Sequence, residues 1–247
     1  MTERAEDLQL EALRAFTLLS SLRDNWGGAL AVACGLGPGG AALSIAANMA
    51  CAGCLIVDLR TEVCRAAMRF GACDFLVNSV DEALRVLKNE IRKHKPVSVA
   101  LEMDEAAALA ELVDRGVLPE LFTAFRNDER TTAVADAVRR FAARFAGRFA
   151  NMGALIVDFD GELAAMEGAV ESTRRLEGFT RRCQLHLESF LFASAEELRD
   201  FDARLLEIVP AADPRHRWVA TAPRFFHRER PFRRVVYLKA EECGRLE

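Results

Sequence analysis

The chain has 247 residues, 51% hydrophobic and 28% charged, with a net charge of -4. That is ordinary for a soluble globular protein, and the length allows one large domain or a domain with a small appendage. The acidic balance argues against nucleic-acid binding by the chain as a whole, and no apolar run reaches the roughly 18 residues of a membrane span.

The first ten residues, MTERAEDLQL, are acidic and polar, unlike a secretory signal, so a cytoplasmic location is the expectation. An amphipathic helix is expected over residues 5–20. Short apolar runs then alternate with helical patterns: ALAVAC at 29–34, CLIVDL at 54–59, CDFLVNS at 73–79, VSVALEM at 97–103, a weaker ELFTAF at 120–125 and ALIVDF at 154–159. Their continuous apolar character suits strands covered on both faces, as in a parallel sheet. Between them, DEALRVLKNEIRKH and DEAAALAELVDRG read as helices, with Asp81 placed to cap the first and Gly116 near the end of the second. The fold class expected is therefore α/β, a doubly wound, mostly parallel Rossmann-like sheet.

Beyond residue 160 the pattern changes. Residues 161–209 read as helix almost throughout, with a break near 193–195 and an apolar stripe of Leu198, Phe201, Leu205 and Leu206. In the tail, WVATA and RVVYLKA read as two strands, a small C-terminal β addition. The expected division is a Rossmann-like core with its N-terminal helix over 1–160, and a helical segment with a basic β tail over 161–247 packed on it. Stacked amphipathic helices of this kind often bury their stripe against a twin subunit, so a homodimer is expected.

The stretch after the first strand, GLGPGG, places Gly35, Gly37 and Gly40 in a G-x-G-x-x-G. A strand precedes it, a helix of small residues follows, and a second strand ends in Asp58. In the dinucleotide reading Gly35 permits the tight turn, Gly37 the close approach of a pyrophosphate and Gly40 the packing of helix on strand. Amides at the helix start face the phosphates and Asp58 accepts from a ribose diol. The other reading is a compact turn only, and Pro38, which removes one amide donor, favours it. Arg60 would suit a 2′-phosphate, but with Asp58 present NAD is the expected cofactor.

From these residues the chain resembles the urocanases, in their Rossmann-like NAD-binding core alone, over about residues 29–125. The resemblance rests on GLGPGGAAL and AGCLIVDLR, on FLVNSVDEALRVL, and on KPVSVALEMDEAAALAELVDRGVLPELFT with its L-V-x-R-G-V-x-P phrase. It implies a shared fold, a dinucleotide or other small-molecule ligand, and cofactor roles for Gly35, Gly37, Gly40 and Asp58. Asn78 and Ser79 follow as a polar loop after the third strand. It does not imply urocanate hydration. Where the family carries Gly-Asn-Ala this chain has Glu102, Met103 and Asp104, and where the family carries D-Q-T-S-x-H-D-P it has AFRNDER at 124–130. No catalytic residue can be carried over. Without catalysis, the expectation is a scaffold or homodimerising protein that has lost its cofactor.

Other groups read as structural. Seven cysteines, an odd number, do not suggest a disulfide framework. Cys51 and Cys54 form a C-x-x-C, but no second pair stands at zinc-site spacing and the four histidines are scattered, so no metal site is expected. Cys34, just before the glycines, is read as a buried strand cysteine rather than a nucleophile. Asp158 and Asp160 could share Mg²⁺, yet a strand leaving the sheet into a turn explains them as well. Between Arg215 and Lys239 eight Lys or Arg stand against Glu229 alone, with aromatics interleaved, and are read as solvated arginines around an aromatic cluster.

Overall fold

The structure is a computed structural model that describes residues 3–125, 132–161 and 163–246. In chain order the elements are α1 (Glu3–Leu22), β1 (Leu30–Cys34), α2 (Pro38–Met49), β2 (Gly53–Val57), α3 (Thr61–Phe70), β3 (Phe75–Val77), α4 (Val80–Ile91), β4 (Val97–Leu101), α5 (Glu105–Asp114) and β5 (Leu121–Ala124). There follow α6 (Thr132–Asn151), β6 (Leu155–Asp158), β7 (Val170–Glu171), α7 (Ser172–Cys183), β8 (His186–Phe192), α8 (Ala195–Ile208), α9 (Pro214–Phe226), β9 (Phe232–Leu238) and α10 (Ala240–Cys243).

A seven-stranded parallel sheet runs β3-β4-β2-β1-β5-β6-β7. The continuous apolar runs sit at its centre, where β1, β2, β4 and β5 are buried at every position. The shorter β3 lies at an edge and is partly open, as expected of a strand covered by one neighbour. One hydrophobic cluster fills the face under α4, α5 and α6. The other joins α1, α2 and the sheet to α8, α9 and β9, so Leu13, Ile56, Trp218 and Tyr237 share a single core. Burying each large side chain there is worth about 1.5–3 kcal/mol, which ties the C-terminal half to the sheet.

Helix boundaries follow local chemistry. Ser79, Asp104 and Ser194 accept amides from the first turns of α4, α5 and α8. Gly71 closes α3 in the left-handed conformation that lacks a penalty only for glycine.

Two expectations for the C-terminal half are corrected. Residues 161–209 are not all helix: β7 and β8 interrupt them, while the break before Ala195 stands where expected. HLESFLF escapes a period-2 reading because Phe190 and Phe192 point into the core and Leu187 and Leu191 point outward, leaving no apolar–polar alternation. WVATA is not a strand but the middle of α9. Asp213 caps that helix, Pro214 opens it, and Trp218, Val219, Ala222 and Phe226 form its buried stripe. The C-terminal β addition exists, as the two-stranded antiparallel sheet β8–β9. The stripe of α8 is consumed internally: Leu205 is fully buried in the chain's own core and Phe201 packs on the rings of Phe190 and Phe192.

Candidate functional site

Strand order reverses between β1 and β5. From β1 the chain adds β2 beside it, β3 at the edge and β4 between those two, then crosses back to β5, β6 and β7 on the other side of β1. Ligands of open α/β sheets bind in the crevice this leaves at the carboxyl ends of the strands. Gly35 follows β1 and Phe125 follows β5, and both main chains are pinned: Gly35 N–H donates to Val57 O and Phe125 N–H to Cys34 O, each at 2.9 Å.

The glycines differ in what surrounds them. Gly35 has φ +88°, a conformation side chains rarely adopt. A Cβ on Gly40 would fall 2.1 Å from the Gly35 carbonyl oxygen, so only glycine lets α2 start against the end of β1. Gly37 caps α2 in extended conformation, and a Cβ there would meet nothing within 4 Å. The first turn of a helix leaves its amides without intrahelical acceptors. Among the described residues nothing accepts from Gly37, Gly39 or Gly40. On Gly39, however, the Phe125 ring sits so close that a Cβ would lie 2.6 Å from its Cδ1.

Asp58, at the end of β2, is fully buried and engaged on both oxygens. Leu36 N–H donates to Oδ2 at 2.7 Å, Arg60 Nη2 to Oδ2 at 2.7 Å, and Arg60 Nε and N–H to Oδ1 at 2.9 Å. Burial alone would push this carboxyl up. The hydrogen bonds from Arg60 and from the Leu36 amide outweigh it and hold the group below the usual carboxylate range. The carboxylate thus fastens the glycine loop to β2, and a ribose diol would reach it only after Arg60 swings away.

The remaining expected residues lie elsewhere. Asn78 and Ser79 follow β3, three strand spacings or ~14 Å from β1. Asn78 is exposed and Ser79 is the cap of α4, so the structure does not bring them to the glycine turn. Of the acidic pair after β4, Glu102 accepts from Thr61 Oγ1 and Asp104 caps α5, so each is committed locally. Cys34 belongs to the cluster on the α4–α6 face, away from α2. Cys54 is fully buried in β2. Burial drives the thiol of Cys64 up to about 12 and that of Cys73 to about 11. Among the described residues no group of three or more His, Cys, Asp or Glu is arranged to hold a metal ion. Asp158 accepts from the amides of Gly161 and Leu163, closing the turn after β6. Of AFRNDER, residues 126–130 lie outside the described residues.

A cavity of about 650 Å³ opens beside the first turn of α2, which contributes Pro38, Gly39 and Ala42. Phe125 and Phe159, with ring centroids 5.3 Å apart, form one wall. Ser172, Leu176 and Thr180 of α7 face them, and Arg14 of α1 meets Tyr237 of β9 at the floor. Burial raises the Tyr237 hydroxyl pKa, against an opposing hydrogen bond from Arg14. Sequence reasoning missed α7 and Tyr237 as wall residues. No motif marks them, and only the packing of the C-terminal half on α1 brings them to the sheet.

The basic tail, expected to be solvated, is so only in part, which is a correction: Arg217, Arg228 and Arg230 are exposed, while among the described residues four of its eight basic residues are ion-paired. Arg215 is buried between Asp213 and Glu242, Arg234 is buried on Asp202, and Arg233 meets Glu229. Arg224 bridges α9 to Asp74 at 3.1 Å and to Asn48. These arginines bind the C-terminal half together and to the core. Among the described residues no helix is long and apolar enough to cross a membrane.

Residues 12–128 match the family model described as the urocanase Rossmann-like domain. The match runs from within α1 to just past β5, so it takes in the second half of α1 as well as the segment in which the motifs lie. It stops before α6 and the whole C-terminal half. In that family this domain is the NAD-binding region.

Proposed function

From a urocanase-type Rossmann-like domain over residues 12–128, we propose that this protein binds a dinucleotide of the NAD class at the β1–β5 crevice and does not hydrate urocanate. The observation that carries the reading is the open backbone of Gly37 at the head of α2. Its unclaimed neighbouring amides stand beside a cavity into which the same helix turn projects. These groups fit a pyrophosphate: Gly37, Gly39 and Gly40 would hold it through N–H groups at the positive end of a helix. Bound NAD would supply an electrophilic nicotinamide ring. The chain's own residues would bind and orient the ligand, with Phe125, Phe159 and α7 excluding water around it. The reaction differs from the family's because AFRNDER stands where the polar active-centre loop would be.

The test is calorimetric titration with NAD, NADP and ADP-ribose. Micromolar binding abolished by Gly37→Leu, with the fold intact, supports the reading. Absence of heat up to millimolar ligand on folded protein sinks it.

A second reading is a scaffold that has lost its cofactor. Two observations favour it: the Phe125 ring lies on Gly39, and Arg60 occupies the carboxylate that would take the ribose. In that case the glycines serve only the turn, and the work of the protein lies in its partners.

A further inference from the structure

The two edges of the small β8–β9 sheet are treated differently. On the outer edge of β9, Val235 N–H donates to Gln9 Oε1 at 2.7 Å and Val235 O accepts from Trp218 Nε1 at 2.8 Å. Arg233 O accepts from Gln9 Nε2, and Tyr237 O from Arg215 Nη1. Every second residue of β9 therefore turns its main chain away from β8, and side chains cap that edge. In an antiparallel ladder, residues that face each other turn their N–H and C=O the same way, both inward or both outward. The partners of Arg233, Val235 and Tyr237 are Leu191, Ser189 and Leu187, so these three present their amides and carbonyls outward. Among the described residues nothing bonds to them. Their side chains carry no charge, and Leu187 and Leu191 are 42% and 67% exposed. Natural edge strands are normally blunted by charge, proline or a bulge; β8 has no proline or bulge and one acidic residue, Glu188, on the face opposite the exposed leucines.

We propose that β8 pairs antiparallel with β8 of a second copy of this chain, about a two-fold axis at Ser189, giving a continuous four-stranded sheet. In this register Leu187 lies opposite Leu191 of the partner subunit, and each pair of outward-facing residues exchanges two N–H···O bonds. The pairing is self-complementary and covers both exposed leucines, which other registers do not. No charged side chain lies directly opposite another: Glu188 faces Phe190 of the partner subunit. The two Glu188 carboxylates stand diagonally across the axis, ~7–8 Å apart by strand geometry, and weaken the dimer without preventing it. The paired edge is about 23 Å long and about 10 Å deep. It buries only several hundred Å² per copy, which places the dimer among weak, micromolar associations.

Sedimentation velocity on the full chain, from about 1 to about 200 μM, tests this across the range expected of a weak interface. The wild type should pass from monomer to dimer. Ser189→Pro removes an amide that points away from β9 and should raise the dissociation constant at least ~10-fold, with circular dichroism unchanged. Leu191→Lys, at an exposed position, should do the same and carries the test if the proline variant fails to fold. Glu188→Gln should tighten the dimer about 2- to 3-fold, the Coulomb repulsion at that distance in water. A chain monomeric throughout, or a dimer that neither Ser189→Pro nor Leu191→Lys disturbs, overturns the proposal. An unchanged or weakened dimer in Glu188→Gln overturns the register.

Discussion

Arg60 grips Asp58 in a fork, Nε on one carboxylate oxygen and Nη2 on the other, at 2.9 and 2.7 Å. The carboxylate has no exposed side-chain surface, whereas the guanidinium keeps about a quarter of its own. The same carboxylate receives the Leu36 amide, so a pair at the end of β2 sets the shape of a loop that follows β1.

Arg60→Ala should therefore destabilise the fold by about 2–3 kcal/mol. That is less than the 3–5 kcal/mol lost when a fully buried pair is broken, because water can reach the vacated side. The depressed Asp58 carboxyl contributes stability that is fully present above its ordinary pKa of 3.8 and lost as pH falls through its lower folded value. In the variant Asp58 loses that depression, so this acid-side loss should shrink and the stability curve should flatten below about pH 4. Urea unfolding followed from about pH 3 to about pH 7 reads both effects. Nucleotide affinity adds a separate readout: if Asp58 is the ribose acceptor, freeing it should tighten binding.

Gly37 and Gly40, three residues apart, should respond oppositely to the same methyl group. Gly40→Ala forces a Cβ against the Gly35 carbonyl, a backbone clash at or above the ~1–3 kcal/mol typical of overpacking. Gly37→Ala meets nothing within 4 Å at φ -67° and should leave the melting temperature nearly unchanged. Differential scanning calorimetry of the two variants separates a glycine needed for the turn from one that is open to a ligand.

Arg215 holds α9 to α10 through Asp213 and Glu242, with Arg215 and Glu242 both nearly out of solvent. Burial acts to raise both carboxyls, but the hydrogen bonds from Arg215 outweigh it and depress them. Their contribution is complete above the ordinary values of 3.8 and 4.5 and fades as pH falls through the depressed ones. Glu229 works in the other direction. Its pKa is raised by burial, so its contribution is present at low pH and lost as pH rises from 4.5 through the raised value. Thermal unfolding should show a shallow decline on that neutral side and a steep one in acid. Arg215→Met should cost about 3–5 kcal/mol, leaving two carboxylates without their partner, and should flatten the acid limb.

The sheet was legible in the sequence because its central strands are buried on both faces and so read as unbroken apolar runs. The glycine turn was legible because G-x-G-x-x-G has a steric meaning that Gly35 and Gly40 express locally. Asp58 was found, but its commitment to Arg60 was not, since spacing gives proximity without saying which groups bond. Asn78 and Ser79 were placed by chain order, whereas β4 inserts between β3 and β2 and carries them to the far edge. The C-terminal half was least legible. The strand β8 has apolar residues on both sides, and the Val and Thr of WVATA imitate a strand until Asp213 and Pro214 are seen to start a helix. The leucines of α8, read as a surface for a twin, serve the chain's own core because β8 and β9 cover them.

Phe125 decides how the crevice and the nucleotide can coexist. Its ring lies over Gly39 and against Phe159, and it occupies space beside the amides that would receive a pyrophosphate. Phe125→Ala should cost about 3 kcal/mol, the low end for a buried ring, because this one borders an existing cavity rather than the centre of the core. Removing the ring should also widen the cavity over the first turn of α2 and strengthen NAD binding, whereas Phe125→Trp should weaken it. Titration calorimetry on both variants at matched folded fraction checks the pair. Weaker binding in Phe125→Ala would show instead that the ring is a wall the ligand packs against, and would place the pyrophosphate on the Gly37 side of the loop.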